Sequence, residues 1–224
     1  MEMRNVEISA LRTLRSGFLY LLVAVIVGIV AAFGFMVAVP HGPSAFAGVV
    51  GAVATLLTLL LVAVGVALYA IFGKIRPGMR QLSEVDNGFR ICYTGTTLML
   101  VGLLILVLGI IVLAAVFAAA GFSPEAHRGA VVSGLDLALG VLLIGGIIAF
   151  IGDIMTFVVG AFKLHGKYQN SLYMAAGILF VVDIALLLVG ISGILTSVGY
   201  ILMYIALGDT INRLTTATAT LAQA

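Results

Sequence analysis

Long apolar stretches broken by short polar ones set the pattern of this chain. Apolar runs occupy residues 17–39, 45–72, 91–120, 130–162 and 172–207. A helix needs roughly 20 mostly apolar residues to cross a bilayer, so every run is long enough. Pro40, His41, Gly42 and Pro43 separate the first two, a strong breaker. The charged stretch 73–90, which contains Pro77, forms an inner loop between the second and third. Gly121, Phe122, Ser123 and Pro124 end the third run, and residues 163–171 end the fourth. The last run has 36 residues. As one helix it would rise about 54 Å, against a hydrocarbon core about 30 Å thick. It is therefore split at Gly190, Ile191, Ser192 and Gly193. The pattern predicts an all-α, polytopic transmembrane bundle over 17–208, with spans at about 17–39, 45–72, 91–120, 130–162, 172–189 and 194–207. Five spans is the alternative.

Outside these spans, Met3, Val6, Ala10, Leu11 and Leu14 recur at helical spacing beside Arg4, Arg12 and Arg15. This predicts a short interfacial helix over 1–16, lying under the inner leaflet. The small, polar residues toward the C-terminus predict a flexible tail over 209–224. Ala45, Phe46 and Ala47 before Gly48 resemble a signal-peptidase site. The apolar stretch before them is 23 residues, longer than the usual h-region of about 7–15, which favours a retained span.

Composition agrees with the pattern. The chain is 63% apolar and 9% charged, with 11 Lys+Arg and 9 Asp+Glu in 224 residues. Soluble domains carry about 25% charged residues. Twenty charges cannot cover a water-facing surface of this size. This excludes a soluble enzyme, a disordered chain and a nucleic-acid binder with a basic face. The single cysteine, Cys92, excludes an internal disulfide.

The placement of charge orients the chain. Cytoplasmic segments carry the Lys/Arg excess. With six spans and the N-terminus inside, ten basic residues fall inside and only Arg128 outside; five spans would move Arg213 outside as well. Six tyrosines (Tyr20, Tyr69, Tyr93, Tyr168, Tyr173 and Tyr204) fall near inner boundaries, where amphipathic rings suit the headgroup level. The expected location is the cell membrane, with both termini inside.

Two residues stand out chemically. Asp153 lies ten residues before Lys163, and Asp183 about a dozen after Ser171. Both counts place a carboxyl near the midplane, with no Lys or Arg deep enough to pair with it. A carboxylate there costs about 2.5–3.5 kcal/mol, so it needs a proton, a partner or water. Facing each other, the two acids could share a proton, bind a cation or relay protons. Otherwise they hydrogen-bond neighbouring helices. Thr156, Thr196 and Tyr200 are candidate auxiliary ligands.

Small residues form two further patterns. Gly95, Gly102 and Gly109 recur every seven residues, a spacing that holds one face toward a neighbour. Gly145, Ala149, Asp153, Thr156 and Gly160 form a small and polar stripe on the next span. Both read as packing surfaces, either static or sliding. The segments ending in Phe72-Gly73-Lys74, His165-Gly166-Lys167 and Leu207-Gly208-Asp209 hint at repeated hairpins, though boundary chemistry alone would produce them. Lys74, Arg76, Arg80 and Arg90 could attract anionic headgroups or simply set topology. His41, Glu125 and His127 make a weak metal signal, and exposed loop polarity accounts for them far better; no metal site is assigned. No phosphate-binding loop, zinc-protease or hydrolase motif occurs.

The segment Leu11-Arg12-Thr13-Leu14-Arg15-Ser16-Gly17 leading into a span, the basic stretch 73–90 and the stretch 163–177 together resemble small archaeal multi-pass membrane proteins, a family built on a domain of unknown function. The resemblance implies an archaeal plasma-membrane protein, with no catalytic residues and no cofactor. The expected function is that of a small cation- or proton-coupled transporter or channel-like protein. A non-catalytic scaffold or accessory subunit of a membrane complex is the alternative. Expected partners are the lipid bilayer and, through the glycine seams, a second copy or a membrane-complex partner, with no nucleic acid.

Overall fold

The computed structural model describes residues 2–38, 46–122, 128–187 and 193–223. Within them the chain is all-α. The helices are α1 (Glu2–Ala38), α2 (Phe46–Leu68), α3 (Arg76–Val85), α4 (Arg90–Phe122), α5 (Arg128–Asp153), α6 (Val159–Tyr168), α7 (Ser171–Leu187) and α8 (Ile194–Gln223). A wide π turn over Tyr69–Ile75 joins α2 to α3, and a second, Ile154–Val158, joins α5 to α6. Five described helical stretches are long and apolar enough to cross a membrane: Met3–Gly34, Leu61–Val85, Asn87–Leu113, Ser133–Tyr168 and Ile194–Ala217; α7 is a shorter apolar helix.

Several predicted boundaries move. The expected inner loop at 73–90 is largely helical. Pro77 lacks an N–H and cannot sit inside a regular α-helix without losing a bond. Here it occupies the first turn of α3, just after the π turn, where that N–H is not needed. The chain thus continues as helix to Val85, where Asp86 accepts a hydrogen bond from the Gly88 amide at 2.8 Å and turns it into α4. At the N-terminus, α1 runs unbroken from residue 2 into the first span, with no separate helix ending at residue 16. Its 37 residues rise about 55 Å, well beyond the hydrocarbon thickness. At the other end, α8 continues as helix to Gln223, through the expected tail.

The residues group into two compact units, 1–90 with 160–224 and 91–159. In the first, α1 packs against α2, the π turn, α3 and α8, and α7 packs against α8. Its core is concentrated near the charged half of α1: Ala10, Leu11, Leu14 and Phe18 are buried with Ile75, Met79 and Leu82. A Cβ on Gly78 would meet the Leu14 side chain at 2.7 Å, so any larger residue would force Leu14 to shift at this crossing. Farther along α1, Ile26, Ile29, Val30 and Phe33 are exposed, Phe33 at 65%. Exposed apolar faces of that size are unfavourable in water and suited to lipid.

The last apolar run is two helices, as the split at 190–193 predicts. Four contacts fix α7 and α8 as antiparallel. Asn170 Nδ2 donates to Asp209 Oδ2 at 3.0 Å, and the Tyr173 and Thr210 hydroxyls lie 2.9 Å apart. The Phe180 and Tyr200 rings are 5.7 Å apart, and Thr196 donates to Asp183.

The second unit is an antiparallel pair, α4 against α5 and its π turn. The predicted glycine seam is its interface. A Cβ on Gly102 would strike the Ala149 backbone, and one on Gly109 would come within 2.8 Å of Leu142. One on Gly95 would lie 2.6 Å from Met155 and 2.9 Å from the Thr156 hydroxyl. On the facing helix Gly145 meets the Leu106 amide nitrogen, and Gly152 meets Met99. Backbones can approach this closely only where both helices carry small residues.

Candidate functional site

Asp183 is buried, and its carboxylate accepts three hydrogen bonds. The Gly193 amide donates at 2.8 Å, the Leu195 amide at 3.2 Å and the Thr196 hydroxyl at 2.8 Å. The first amides of a helix have no intrahelical acceptor. Asp183 thus reaches from α7 to cap the start of α8, where negative charge also meets the positive end of the helix dipole. Gly193, at φ +96°, makes the turn into α8 possible. Asp183 lies four residues before the end of α7, on the side of the turn into α8. Of its expected partners, Thr196 is present. The Tyr200 ring instead packs between Phe18 and Phe180, at 5.9 and 5.7 Å. Gly190, Ile191 and Ser192 lie outside the described residues.

Asp153 belongs to the other compact unit. It is partly buried at the last position of α5, within the apolar stretch Ser133–Tyr168. Among the described residues it has no hydrogen bond or ion pair. The π turn begins at the next residue. Such turns leave backbone groups in irregular register and are frequent at functional positions. Thr156, inside the turn, is buried and donates to the Gly152 carbonyl at 2.7 Å. That hydroxyl repairs the helix and faces Gly95 of α4. Gly145 and Ala149 also face α4, Gly160 is buried, and Asp136 is exposed.

The basic residues of the expected inner loop sit in different local settings. Lys74 lies 5.9 Å from the centre of the Tyr69 ring. Arg80 pairs with Glu84 one helical turn on, at 3.4 Å, with both side chains more than half exposed. Arg76 is partly buried, and Arg90 is exposed at the start of α4. His41, Glu125 and His127 lie outside the described residues. Within those residues, no three His, Cys, Asp or Glu side chains gather closely enough to hold a metal.

A polar hub in the first unit went unread in the sequence. Lys167 pairs with Glu7 at 2.8 Å and lies 3.8 Å from Asp86. The Tyr168 hydroxyl donates to the same Glu7 oxygen at 2.8 Å. Lys167 also sits over the Phe89 and Tyr168 rings, at 5.6 and 5.5 Å. This hub ties α1, the turn before α4 and the end of α6. His165 Nδ1 lies 2.9 Å from the Asn170 carbonyl, which can only accept, so Nδ1 carries the proton. These partners are up to 161 positions apart, and no local spacing announces them.

An all-α architecture with spanning-length apolar helices, lipid-suited exposed faces and charge gathered at helix ends defines a helical integral membrane protein. The family model for a protein of unknown function, DUF973, matches residues 7–224, and the chain belongs to that family. No curated protein and no solved structure matches it.

Proposed function

We propose that this protein is a small cation- or proton-coupled transporter or channel-like protein of the cell membrane, with its N-terminus inside, and that it is not an enzyme. Asp153 is the residue at which the ion or proton is handled. The observation that carries the reading is an acid within an apolar helix, unpartnered among the described residues and set beside a π turn. Intramembrane acids cost energy and mark ion or proton pathways. The capping role of Asp183 takes up its acceptor capacity, so the proposal rests on Asp153 rather than on a pair of acids.

Reconstitution in liposomes tests it. The wild-type protein is expected to carry a proton- or cation-dependent flux. Asp153→Asn should lower that flux at least tenfold while leaving the helical fold intact. Wild-type liposomes with no flux across a broad ion panel would sink the proposal and favour a non-catalytic scaffold or accessory subunit.

A further inference from the structure

The first unit holds a groove between α1 and α8 that the proposed function does not use. Asn5, Ile8, Ser9 and Arg12 of α1 line it, with Thr215 of α8 opposite. Arg15 follows Arg12 by three residues, so the two share a helical face. Its guanidinium stacks over the Tyr204 ring of α8 at 4.5 Å and lies against Gly208, where a Cβ would come within 3.1 Å. Stacking engages the flat face of the guanidinium and leaves its N–H edge without an acceptor. The Arg15 Nε is buried and has no hydrogen-bond partner among the described residues.

Neither arginine has an acidic partner among those residues. Of the acids near this end whose side chains the structure describes, Glu7 is engaged with Lys167 and Tyr168, and Asp209 with Arg213 at 2.9 Å and with Asn170. The groove therefore presents the Arg12 guanidinium beside the Ser9 hydroxyl and the Asn5 amide, with the Arg15 guanidinium one turn further along α1 against Tyr204 and Gly208. A guanidinium offers a planar fork of donors that fits phosphate oxygens. The groove lies at the polar and charged ends of the stretches Met3–Gly34 and Ile194–Ala217, the ends of spanning helices that lipid headgroups meet.

We propose that the α1–α8 groove is a phosphate-binding site in which Arg12 and Arg15 hold a phosphate group. The phosphate comes from an anionic lipid headgroup or from a free phosphate compound. The site stands independently of any transport role for Asp153.

The test uses the full-length protein in nanodiscs of neutral phosphatidylcholine, and again with phosphatidic acid added. Lipid retained after transfer to detergent is counted by native mass spectrometry, and inorganic phosphate is titrated against the protein in detergent. Wild-type protein is expected to retain phosphatidic acid over phosphatidylcholine. Arg12→Gln should weaken that retention about fivefold, equivalent to about 1 kcal/mol per basic side chain near a membrane surface. Arg12 is exposed, so its loss leaves the fold intact. Arg15→Gln should weaken retention at least as much, and Arg80→Gln should leave it unchanged. Displacement of the lipid by millimolar inorganic phosphate identifies a free phosphate as the ligand; retention in its presence identifies the headgroup. Equal retention by wild type and Arg12→Gln, or no preference for phosphatidic acid together with no binding of phosphate, overturns the proposal.

Discussion

At the scale of single residues, Asp153 and Asp183 part company. Asp183 serves three donors at once, so its loss strands two backbone amides and the Thr196 hydroxyl. Asp183→Ala should cost about 2–3 kcal/mol, the penalty for unsatisfied buried donors together with loss of a helix cap. Asp183→Asn keeps one acceptor oxygen and should cost less than half as much. Unfolding of the detergent-solubilised protein followed by circular dichroism checks both, and equal costs for Ala and Asn would argue against capping. Asp153→Asn removes no contact among the described residues and should leave the same curve unmoved. The sequence ranked the two acids alike because a depth count assumes straight spans and ignores turns. The signal that separates them was present: a glycine break begins seven residues after Asp183. A helix starting beyond such a break needs an acceptor for its first amides.

At the scale of helices, small-residue spacing carried the information. The seven-residue glycine period on α4 correctly marked a packing face, because backbone approach depends on the local absence of side chains. Its partner face was only half legible. Gly145 and Ala149 were read, but Gly152, which lies next to Asp153 and meets Met99, was missed. Gly102→Leu should drive a side chain into the Ala149 backbone and cost about 3 kcal/mol, toward the upper end for overpacking. Gly140 has open space where a Cβ would go. Gly140→Leu should therefore change stability by less than about 1 kcal/mol, the scale of helix propensity. The same unfolding assay compares them, and similar losses at both positions would refute the seam. The hub around Lys167 lay beyond sequence reasoning for the opposite reason, since its members meet only through tertiary packing. A double-mutant cycle on Glu7→Gln and Lys167→Met should give a coupling of about 1–2 kcal/mol, within the usual range for residues in contact. The side chains are only 15% and 22% exposed, too sheltered for the weak coupling of a surface pair.

At the scale of the whole molecule, α1 and α8 bear on the number of crossings. Phe18 meets Tyr200, Arg15 meets Tyr204, and Arg12 shares a groove with Thr215. Rising numbers on one helix meet falling numbers on the other, so the two are antiparallel. The start of α1 and the end of α8 therefore lie at the same end of their unit. Ends that lie on one side of a membrane require an even number of crossings, which favours six, with the shorter apolar helix α7 as the sixth, over five. The charge count could not decide this, because only Arg213 changes sides between the two schemes. Cysteine labelling gives the decisive comparison. In a Cys92→Ala background, Asn5→Cys and Ala217→Cys, both at exposed positions, should react with a membrane-impermeant maleimide from the same face of sealed vesicles. Glu125→Cys, between α4 and α5, should react only from the other face. The basic residues on the inner side of this scheme further predict that positions 5 and 217 label in inside-out vesicles and not in right-side-out ones. Labelling of positions 5 and 217 from opposite faces would restore the five-span topology. It would also mean that α1 and α8 do not pack as they do here, and the phosphate groove between them would fall with that packing.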